Sequence, residues 1–401
     1  MPATAGQLYM IRMWQSSRGI LFYPSFTYSV RGVDKTRLQT AWISLLKHHE
    51  ILRTGFVETG SNIWQITFRN SPSQTIRYQT ASQDMSQESH HEIAGNDLSR
   101  PPVTLIVQES GDPYLKLKLI IHHALYDGIS LPSLMQQLRL LCDGQSLPAA
   151  LSFRTFVGQS VEAQQGTSGD SSDPNLARKQ WVSYLRDISY PAQSLGDPST
   201  VDGDKRTEVF QPTKQVSSLR KIAQEVGVSV DALLLASISK VYARYLVEAK
   251  AASAADVVFG IYLANRAPFG DDLSALAAPT LNILPLHVRD PIRRRIEDLA
   301  VDIQEDLRKI SSKQMSCASL NDIYKWSGVR VNYIVNILKD AGSEIEGSNE
   351  AIFNPVVEIK RKAEVAEYSS NKNMPRTDEK FDAYLVSLHV FMFIITVPNT
   401  F

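Results

Sequence analysis

Two adjacent histidines, an aspartate and a glycine lie close together in the stretch IHHALYDGIS, residues 121–130. An imidazole has a pKa near neutrality, so His122 or His123 could take a proton from an attacking amine or hydroxyl and pass it on. Asp127 could orient a histidine, cap a backbone amide or pair with a cation. Gly128 permits a tight turn or the close approach of another backbone. The residue types therefore indicate general base chemistry.

The same residues allow two other interpretations, a metal site and a structural turn. Side chains of neighbouring residues in a strand point to opposite faces, so His122 and His123 cannot serve one small site from the same face. A metal site would require the turn to fold back and bring Asp127 beside them, so we expect no metal here. A histidine at a strand end is often only a hydrogen-bonded structural group. From the residues alone, catalysis and a polar turn both stay open.

The elements on either side of this loop must position it. The run YLKLKLII (114–121) alternates, with its leucines on one face, and we expect it to form a hairpin with VTLIVQE (103–109). Continued to the loop, the alternation places His123 on the core-facing side and His122 on the other. Ser130 is the predicted N-cap of the next helix, whose apolar stripe runs to Leu141 before Gly144. Free N–H groups at that helix start could stabilise an oxyanion.

Composition restricts the class of protein. Of the 401 residues, 43% are apolar and 21% charged, and 42 basic residues balance 42 acidic ones. We therefore expect no nucleic-acid partner and no binding to an anionic membrane. Cys142 and Cys317 form no CxxC motif, which favours a reducing, cytoplasmic location. GxSxG, P-loop and GxGxxG motifs are absent from the sequence, so neither serine hydrolysis nor nucleotide binding is expected.

Helix and strand patterns alternate irregularly along the chain, which predicts a mixed α/β protein. Its most evident linker is QQGTSGDSSDPN (164–175), which separates two predicted lobes. Helices are predicted near 34–49, 176–187, 216–227, 228–246 and 291–310, and strands near 256–263, 280–288 and 328–338. Asp34 is the predicted N-cap of the first of these helices, and Ser229 that of the fourth. The apolar run 383–398 is short for a bilayer span, and a buried terminal strand, a tail anchor or a non-native end of the reading frame remain open.

The loop and several other stretches resemble one family. HHALYDG has the HHxxxDG form of the condensation domains of nonribosomal peptide synthetases, relatives of chloramphenicol acetyltransferase. HHEILRTGF (48–56) resembles the family's RHExLRTxF, with histidine in place of the first arginine, and TAGQLYMIRMW (4–14) resembles its opening motif. VVFGIYLANR (257–266) and PTLNILPLHVR (279–289) resemble two later stretches, the second in the variant of fungal siderophore synthetases. The resemblance covers about residues 1–340.

The resemblance implies a fold and a reaction. The expected fold is α/β (α+β), with two chloramphenicol acetyltransferase-like lobes in a V-shaped arrangement around a central tunnel. Residues 1–165 would form the N-terminal lobe with the HHxxxDG loop, and 176–401 the C-terminal lobe, whose final strands we do not find after about 340. Donor and acceptor peptidyl carrier proteins would present acyl groups as thioesters on phosphopantetheine, and an amide would form. The chain itself would bind no cofactor, since phosphopantetheine belongs to the partners.

The same resemblance assigns roles to individual residues. His123 would be the catalytic base, or would position the acceptor amine, and His122 would be structural. Asp127 would support the loop by pairing with Arg53 of the second motif. Gly128 would leave room, and an N–H group, near the thioester carbonyl.

Asn282 is the remaining site residue that the resemblance indicates. It could donate a hydrogen bond in the tunnel, or it could be a strand-edge asparagine in a turn.

Two rival functions remain beside condensation. One is a free-standing acyltransferase that uses acyl-coenzyme A with the same histidine. The other is a catalytically silent module that binds carrier proteins. An intact HHxxxDG argues against the silent module, which has no need of the motif histidine. Adenylation and other synthetase modules are further expected partners, and no membrane association is expected.

Overall fold

The helices and strands are described from a computed structural model of the chain. It describes residues 1–19, 21–60, 62–70, 75–80, 97–109, 114–165, 173–188, 216–248, 256–270, 273, 275–331, 333–338, 353–355, 383–387 and 391–396. The α-helices are α1 (Ala5–Ser16), α2 (Lys35–His48), α3 (Ser130–Cys142), α4 (Phe153–Gln165), α5 (Leu176–Tyr184), α6 (Val216–Val226), α7 (Val230–Glu248), α8 (Ile296–Ile310), α9 (Lys313–Ser316) and α10 (Leu320–Ser327). The strands are β1 (Ser25–Arg31), β2 (Thr54–Thr59), β3 (Asn62–Thr67), β4 (Ile76–Gln79), β5 (Val103–Glu109), β6 (Tyr114–Ile121), β7 (Val257–Ala264), β8 (Leu281–Val288), β9 (Tyr333–Leu338), β10 (Phe353–Pro355), β11 (Ala383–Ser387) and β12 (Phe391–Thr396). The predicted mixture of helices and strands is confirmed.

The chain forms two compact units. One consists of Met1–Val161, Ala264–Leu281 and Ala341–Arg361, and the other of Glu162–Leu263, Asn282–Asp340 and Lys362–Phe401. The first boundary lies beside the predicted linker 164–175, of which 166–172 lie outside the described residues. Two later segments belong to the first unit, so the units differ from the two contiguous lobes that the sequence predicted. The return of later segments to the first unit depends on contacts between residues far apart in the sequence, which the composition of a linker does not indicate.

The first unit holds the histidine loop and is built on a five-stranded sheet of order β10-β1-β6-β5-β4. β6 pairs antiparallel with both β1 and β5, which confirms the predicted β5–β6 hairpin. Because β6 is central, Leu117 and Ile120 are fully buried although they lie on opposite faces, and Lys118 is buried as well. β2 and β3 form a separate antiparallel ribbon. The loop that follows β6 therefore starts from the middle of a covered sheet.

Helix α2 packs beside α3 in the same unit. As predicted, Asp34 caps α2, because its carboxylate accepts a hydrogen bond from the N–H of Arg37. Gly144 ends α3 with a φ of 75°, a backbone conformation that favours glycine. The apolar stripe of α3 faces the core, with Leu134 and Leu138 buried.

The second unit is built on a sheet of order β11-β12-β9-β7-β8, and β7 pairs with β9 in parallel. The predicted helices at 176–187, 216–227, 228–246 and 291–310 correspond to α5, α6, α7 and α8. Ser229 caps α7 as predicted, since its hydroxyl accepts the N–H of Ala232. Among the described residues, no single helix is long and apolar enough to cross a bilayer, although Ser218–Val226 and Val230–Arg244 meet that test as a pair bent by 95°.

The apolar C-terminal run forms two strands and not one. β11 and β12 pair antiparallel, and β12 also pairs with β9, so the run extends the second sheet. These pairings agree with the strand interpretation of the run 383–398 for its described residues, 383–387 and 391–396. Of the polar stretch 339–380, only β10 lies within the described residues, and it pairs with β1.

Gly55 on β2 allows a close backbone contact that tests this packing. A Cβ at this position would lie 2.2 Å from the carbonyl oxygen of Ser99. We expect Gly55→Ala to lower the free energy of unfolding by about 1–3 kcal/mol, because backbone must shift to accept the methyl group. Urea denaturation followed by circular dichroism measures the change.

Gly158 supplies the matched control, because it lies within α4 and a Cβ there would meet nothing within 4 Å. Gly158→Ala should raise the free energy of unfolding by about 0.5–1 kcal/mol, as alanine is the better helix former. Equal effects of the two substitutions would contradict the close contact at Gly55.

Candidate active site

The chain leaves the sheet two residues before His123, to which the predicted alternation of the strand extends. β6 ends at Ile121, His122 is the N-cap of a 3-10 turn over His123–Leu125, and the N–H of His123 donates to the carbonyl of Phe22 at 2.7 Å. The expectation that His123 shares the core-facing side and His122 the other is therefore wrong. It is His122 that is fully buried, whereas His123 is partly exposed.

His122 has the surroundings of a structural residue. Its Nδ1 accepts a hydrogen bond from the N–H of Ala124 at 3.1 Å, and its ring contacts Trp14 and Tyr23 in T-shaped arrangements. An Nδ1 that accepts must lack a hydrogen, so the hydrogen is on Nε2. Burial lowers the pKa of His122 to about 3, so this ring is neutral at physiological pH.

The ring of His123 has the opposite tautomer. Its Nδ1 lies 3.1 Å from the carbonyl oxygen of Tyr126, and because a carbonyl only accepts, Nδ1 carries the hydrogen. Nε2 is left with its lone pair, which is the arrangement a general base requires. Burial lowers the pKa of His123, while Asp127 and the Tyr126 carbonyl act in the opposite direction. The base is therefore in its neutral, proton-accepting form near pH 7.

Aromatic rings surround this imidazole. The ring of Tyr126 stacks on His123 with centroids 4.4 Å apart and an angle of 20° between the planes. Phe22 contacts His123 at 6.0 Å in a T-shaped arrangement, and Phe26 contacts Tyr126 at 5.8 Å in the same way. These contacts restrict the rotation of the imidazole about χ1 and χ2.

Asp127 caps the following helix in place of Ser130. Its Oδ1 accepts the N–H groups of Ile129 at 3.1 Å and Ser130 at 2.8 Å. The predicted N-cap, Ser130, is instead the first residue of α3, and its hydroxyl accepts the N–H of Asp127. The carboxylate is therefore the acceptor that satisfies the start of α3.

Arg266 is the cation that pairs with Asp127. Its Nη2 lies 2.9 Å from both Oδ1 and Oδ2, and Oδ2 also accepts the N–H of Thr280 at 2.9 Å. Both charged side chains are buried, with exposed fractions of 8% and 1%. Arg266 and Thr280 lie in the segment 264–281, which belongs to the first unit.

The predicted pairing of Asp127 with Arg53 is wrong. Arg53 lies at the end of a 3-10 turn after α2, and its guanidinium donates to the carbonyls of Leu46, Phe68 and Arg69. These bonds join the end of α2 to the chain beyond β3. Arg53 is a structural residue, but it supports α2 and β3 and not the carboxylate of the histidine loop.

Gln7 supports the 3-10 turn from the other side. It is buried in α1, and its Nε2 donates to the carbonyl of Ala124 at 2.9 Å. Its Oε1 accepts the N–H of Thr4, which completes a capping box at the start of α1. The opening motif of the sequence is thereby in direct contact with the histidine loop.

Gly128 supplies the N–H group that stays available at the loop. The N–H groups of Ile129 and Ser130 donate to Asp127, and that of Leu131 donates to the carbonyl of the same residue. The expectation that the helix start offers several free donors is therefore wrong. Gly128 is exposed, and no described residue accepts a hydrogen bond from its N–H.

Asn282 is buried in β8, and its amide is fully used within the second unit. Nδ2 donates to the carbonyls of Ser316 and Ala318 at 2.8 and 2.9 Å, and Oδ1 accepts the N–H of Ile283. It is not at a turn, because it is the second residue of an eight-residue strand. With both amide hydrogens occupied, a substrate contact through them is not expected.

The likeness to known proteins extends far beyond the loop. A family model described as Condensation domain matches residues 1–369. The chain belongs to the condensation domain family. Condensation domains form peptide bonds and work with carrier proteins and adenylation domains within nonribosomal peptide synthetase modules.

Curated relatives of this condensation domain are fungal synthetases. It is 35% identical over 346 residues to nonribosomal peptide synthetase 2 of Cochliobolus heterostrophus, covering 85% of this chain and 6% of that protein. It is 26% identical over 342 residues to the hydroxamate-type ferrichrome siderophore peptide synthetase of Schizosaccharomyces pombe, covering 83% and 7%. The domain thus spans less than a tenth of the length of these relatives.

Solved structures confirm the acetyltransferase-like fold. The cyclization-docking bidomain of the EpoB synthetase from Sorangium cellulosum matches with a TM-score of 0.66 at 17% identity, covering 100% of this chain and 79% of that one. The first condensation domain of the calcium-dependent antibiotic synthetase, with a bound substrate analogue, matches with 0.60 at 16% identity, covering 99% and 90%.

The buried Asp127–Arg266 pair should carry a large coupling energy. We expect Asp127→Ala and Arg266→Ala each to lower the free energy of unfolding by about 3–5 kcal/mol, because each leaves a buried charge without its partner. The double variant should cost less than the sum by at least about 1 kcal/mol. Urea denaturation of the four proteins measures the cycle.

An exposed ion pair provides the control for this cycle. Lys179 lies 2.7 Å from Asp173 with 68% of its side chain exposed, so Lys179→Ala should change stability by less than about 1 kcal/mol. Additive costs of the Asp127 and Arg266 substitutions would contradict the coupling.

His122 should make stability depend on pH in the acidic range. Its pKa is about 3 in the folded protein and about 6.5 in the unfolded chain, so the unfolded chain binds more protons as the pH falls. This residue therefore disfavours folding by up to about 1.4 kcal/mol per pH unit below pH 6.5.

A His122→Gln variant isolates this contribution, since the glutamine side chain does not titrate and so adds no pH dependence to the free energy of unfolding. The stability advantage of the native protein over the variant should shrink as the pH is lowered from 7 to 4. Urea denaturation at several pH values measures both curves. Curves that stay parallel over this range would show that His122 is not held neutral.

Proposed function

We propose that this condensation domain joins two acyl groups, each bound to a carrier protein, by forming an amide. His123 acts as the general base or as the group that positions the acceptor amine. The observation that carries this proposal is the tautomer of His123, whose Nε2 lone pair remains free on a partly exposed ring. A lone pair on a neutral imidazole is what the removal of an amine proton requires.

The proposed reaction balances without a metal or a redox partner. The acceptor nitrogen attacks the carbonyl carbon of the donor thioester, and the N–C bond forms. His123 Nε2 takes one proton from that nitrogen, and the C–S bond breaks with its electron pair on sulfur. The proton then passes from His123 to the thiolate, which regenerates the neutral imidazole. The N–H of Gly128 donates to the carbonyl oxygen while it carries negative charge.

The substrates and partners follow from the family and from the names of relatives. Donor and acceptor carrier proteins present the thioesters on phosphopantetheine, and adenylation domains load them. The relative named as a hydroxamate-type ferrichrome siderophore peptide synthetase supports a hydroxamate siderophore peptide as the product class. The phosphopantetheine arms are brought by the partners, so His123 and Gly128 meet the thioester and not a resident cofactor.

Substitution of His123 tests the catalytic assignment. We expect His123→Ala to lower the rate of condensation by about 10²–10⁴-fold, because a proton-transfer group is lost. The measurement uses purified carrier proteins loaded with donor and acceptor, with the condensed product quantified by mass spectrometry. Circular dichroism should match the native spectrum, while the urea midpoint should fall modestly, because the Tyr126 carbonyl loses a hydrogen-bond donor and the Tyr126 ring its stacking partner.

His48→Ala is the matched control, as it removes a partly exposed histidine outside the loop and should keep full activity. Undiminished product from His123→Ala would overturn its catalytic role. Transfer from acyl-coenzyme A without a carrier protein would favour the soluble-thioester alternative, and no product from the native protein with any loaded carrier would favour a silent docking module.

A further inference from the structure

Tyr126 occupies the last variable position of HHxxxDG and contacts the proposed base in two ways. Its carbonyl accepts the hydrogen of His123 Nδ1 at 3.1 Å. Its ring lies nearly parallel to the imidazole at 4.4 Å, and Phe26 packs against it in a T-shaped contact. The tyrosine is buried, with 4% of its surface exposed. The carbonyl contact depends on the backbone alone, so only the ring contact depends on the identity of the side chain.

A stacked aromatic ring distinguishes the two charge states of an imidazole. The face of an aromatic ring carries partial negative charge and attracts a cation within about 6 Å of its centroid. A neutral imidazole gains little from this attraction, whereas an imidazolium gains more, because the cation lies against the face. The contact therefore favours the state that exists after the proton transfer.

The other groups near His123 do not supply this stabilisation in full. Asp127 raises the pKa of His123, but its carboxylate is already paired with Arg266 at 2.9 Å. His122, the adjacent residue, is neutral, and it would repel the positive charge on His123 if it also took up a proton. Phe22 meets the imidazole in a T-shaped contact and not face to face. Among the described residues around His123, Tyr126 is the one whose aromatic face lies nearly parallel to the imidazole.

We propose that Tyr126 is a positioning residue for His123 whose aromatic face stabilises the imidazolium formed during condensation. The inference rests on the proposed function, since it concerns the same proton transfer. The side chain at this variable motif position therefore affects the protonation of the base as well as the packing of the loop. Tyr126 tunes the proton affinity of the base, while its carbonyl fixes the tautomer.

A series of substitutions at Tyr126 separates the ring from the carbonyl. All variants keep the backbone carbonyl, Tyr126→Phe keeps the aromatic face, and Tyr126→Leu and Tyr126→Met keep an apolar side chain without it. The pKa of His123 is measured by NMR with 13C-labelled histidine in the whole chain, with its signal assigned by its loss in His123→Gln. We expect Tyr126→Leu and Tyr126→Met to lower this pKa by about 0.4–1.5 units, and Tyr126→Phe to leave it near the native value.

Turnover supplies the second readout. With loaded carrier proteins, kcat of the leucine and methionine variants should fall by roughly 2- to 30-fold, with KM for the acceptor carrier nearly unchanged. The acidic limb of the kcat profile should move to lower pH in parallel with the NMR value. A merely structural role would change KM or the urea midpoint and leave the pKa where it is.

The outcomes distinguish this inference from the proposed function. A native pKa and native kcat in a folded leucine or methionine variant would overturn the role of the ring, and so would a phenylalanine variant that loses as much as leucine. The NMR measurement needs no turnover. A lowered pKa together with an active His123→Ala protein would therefore leave the stacking effect standing while refuting the catalytic assignment.

Discussion

The carboxylate of Asp127 joins the start of α3 to the segment 264–281. It accepts hydrogen bonds from the start of α3, from Arg266 and from the N–H of Thr280, all inside the first unit. A buried carboxylate is strongly unfavourable unless its oxygens are satisfied, and here each oxygen accepts at least two hydrogens. Loss of any donor would leave part of the buried negative charge of Asp127 without a hydrogen bond, so the donors are held in one arrangement. The HHxxxDG loop has its shape because this arrangement is the one that satisfies the carboxylate.

That constraint reaches the proposed base through three residues of backbone. With Asp127 fixed, the preceding Tyr126 is held with its carbonyl toward Nδ1 of His123 and its ring against the imidazole. Gln7 fixes the other side of the turn through the carbonyl of Ala124. The same contacts that satisfy buried polar groups thus select the tautomer and limit the rotation of His123. Stability and chemistry depend here on one hydrogen-bond network, so substitutions in it should affect both.

The sequence predicted local features well and distant partners poorly. The Asp34 cap, the β5–β6 hairpin and the apolar stripe of α3 depend on neighbours within a few residues, and all are found. Strand alternation failed for the histidines because it holds only while the strand continues, and β6 ends at Ile121. The resemblance implied Arg53 as the partner of Asp127, whereas the observed partner, Arg266, lies 139 residues away, and such a pairing depends on the fold and not on a local pattern. Arg266 and Gln7 nevertheless lie in two of the stretches that resemble the family, so the sequence indicates that these stretches matter but not which contacts the two residues make.

Two adjacent histidines acquire different capacities because their Nδ1 atoms meet opposite partners. For both rings, burial makes the charged form unfavourable, which alone would make either a neutral imidazole. His122 Nδ1 meets an amide N–H and accepts, so its lone pair is used and its Nε2 carries hydrogen. His123 Nδ1 meets a carbonyl and donates, so its Nε2 lone pair remains available. The division between a structural and a chemically competent histidine therefore follows from the polarity of one hydrogen bond at each ring together with burial, since His122 is fully buried and His123 is partly exposed. The residue type does not decide it.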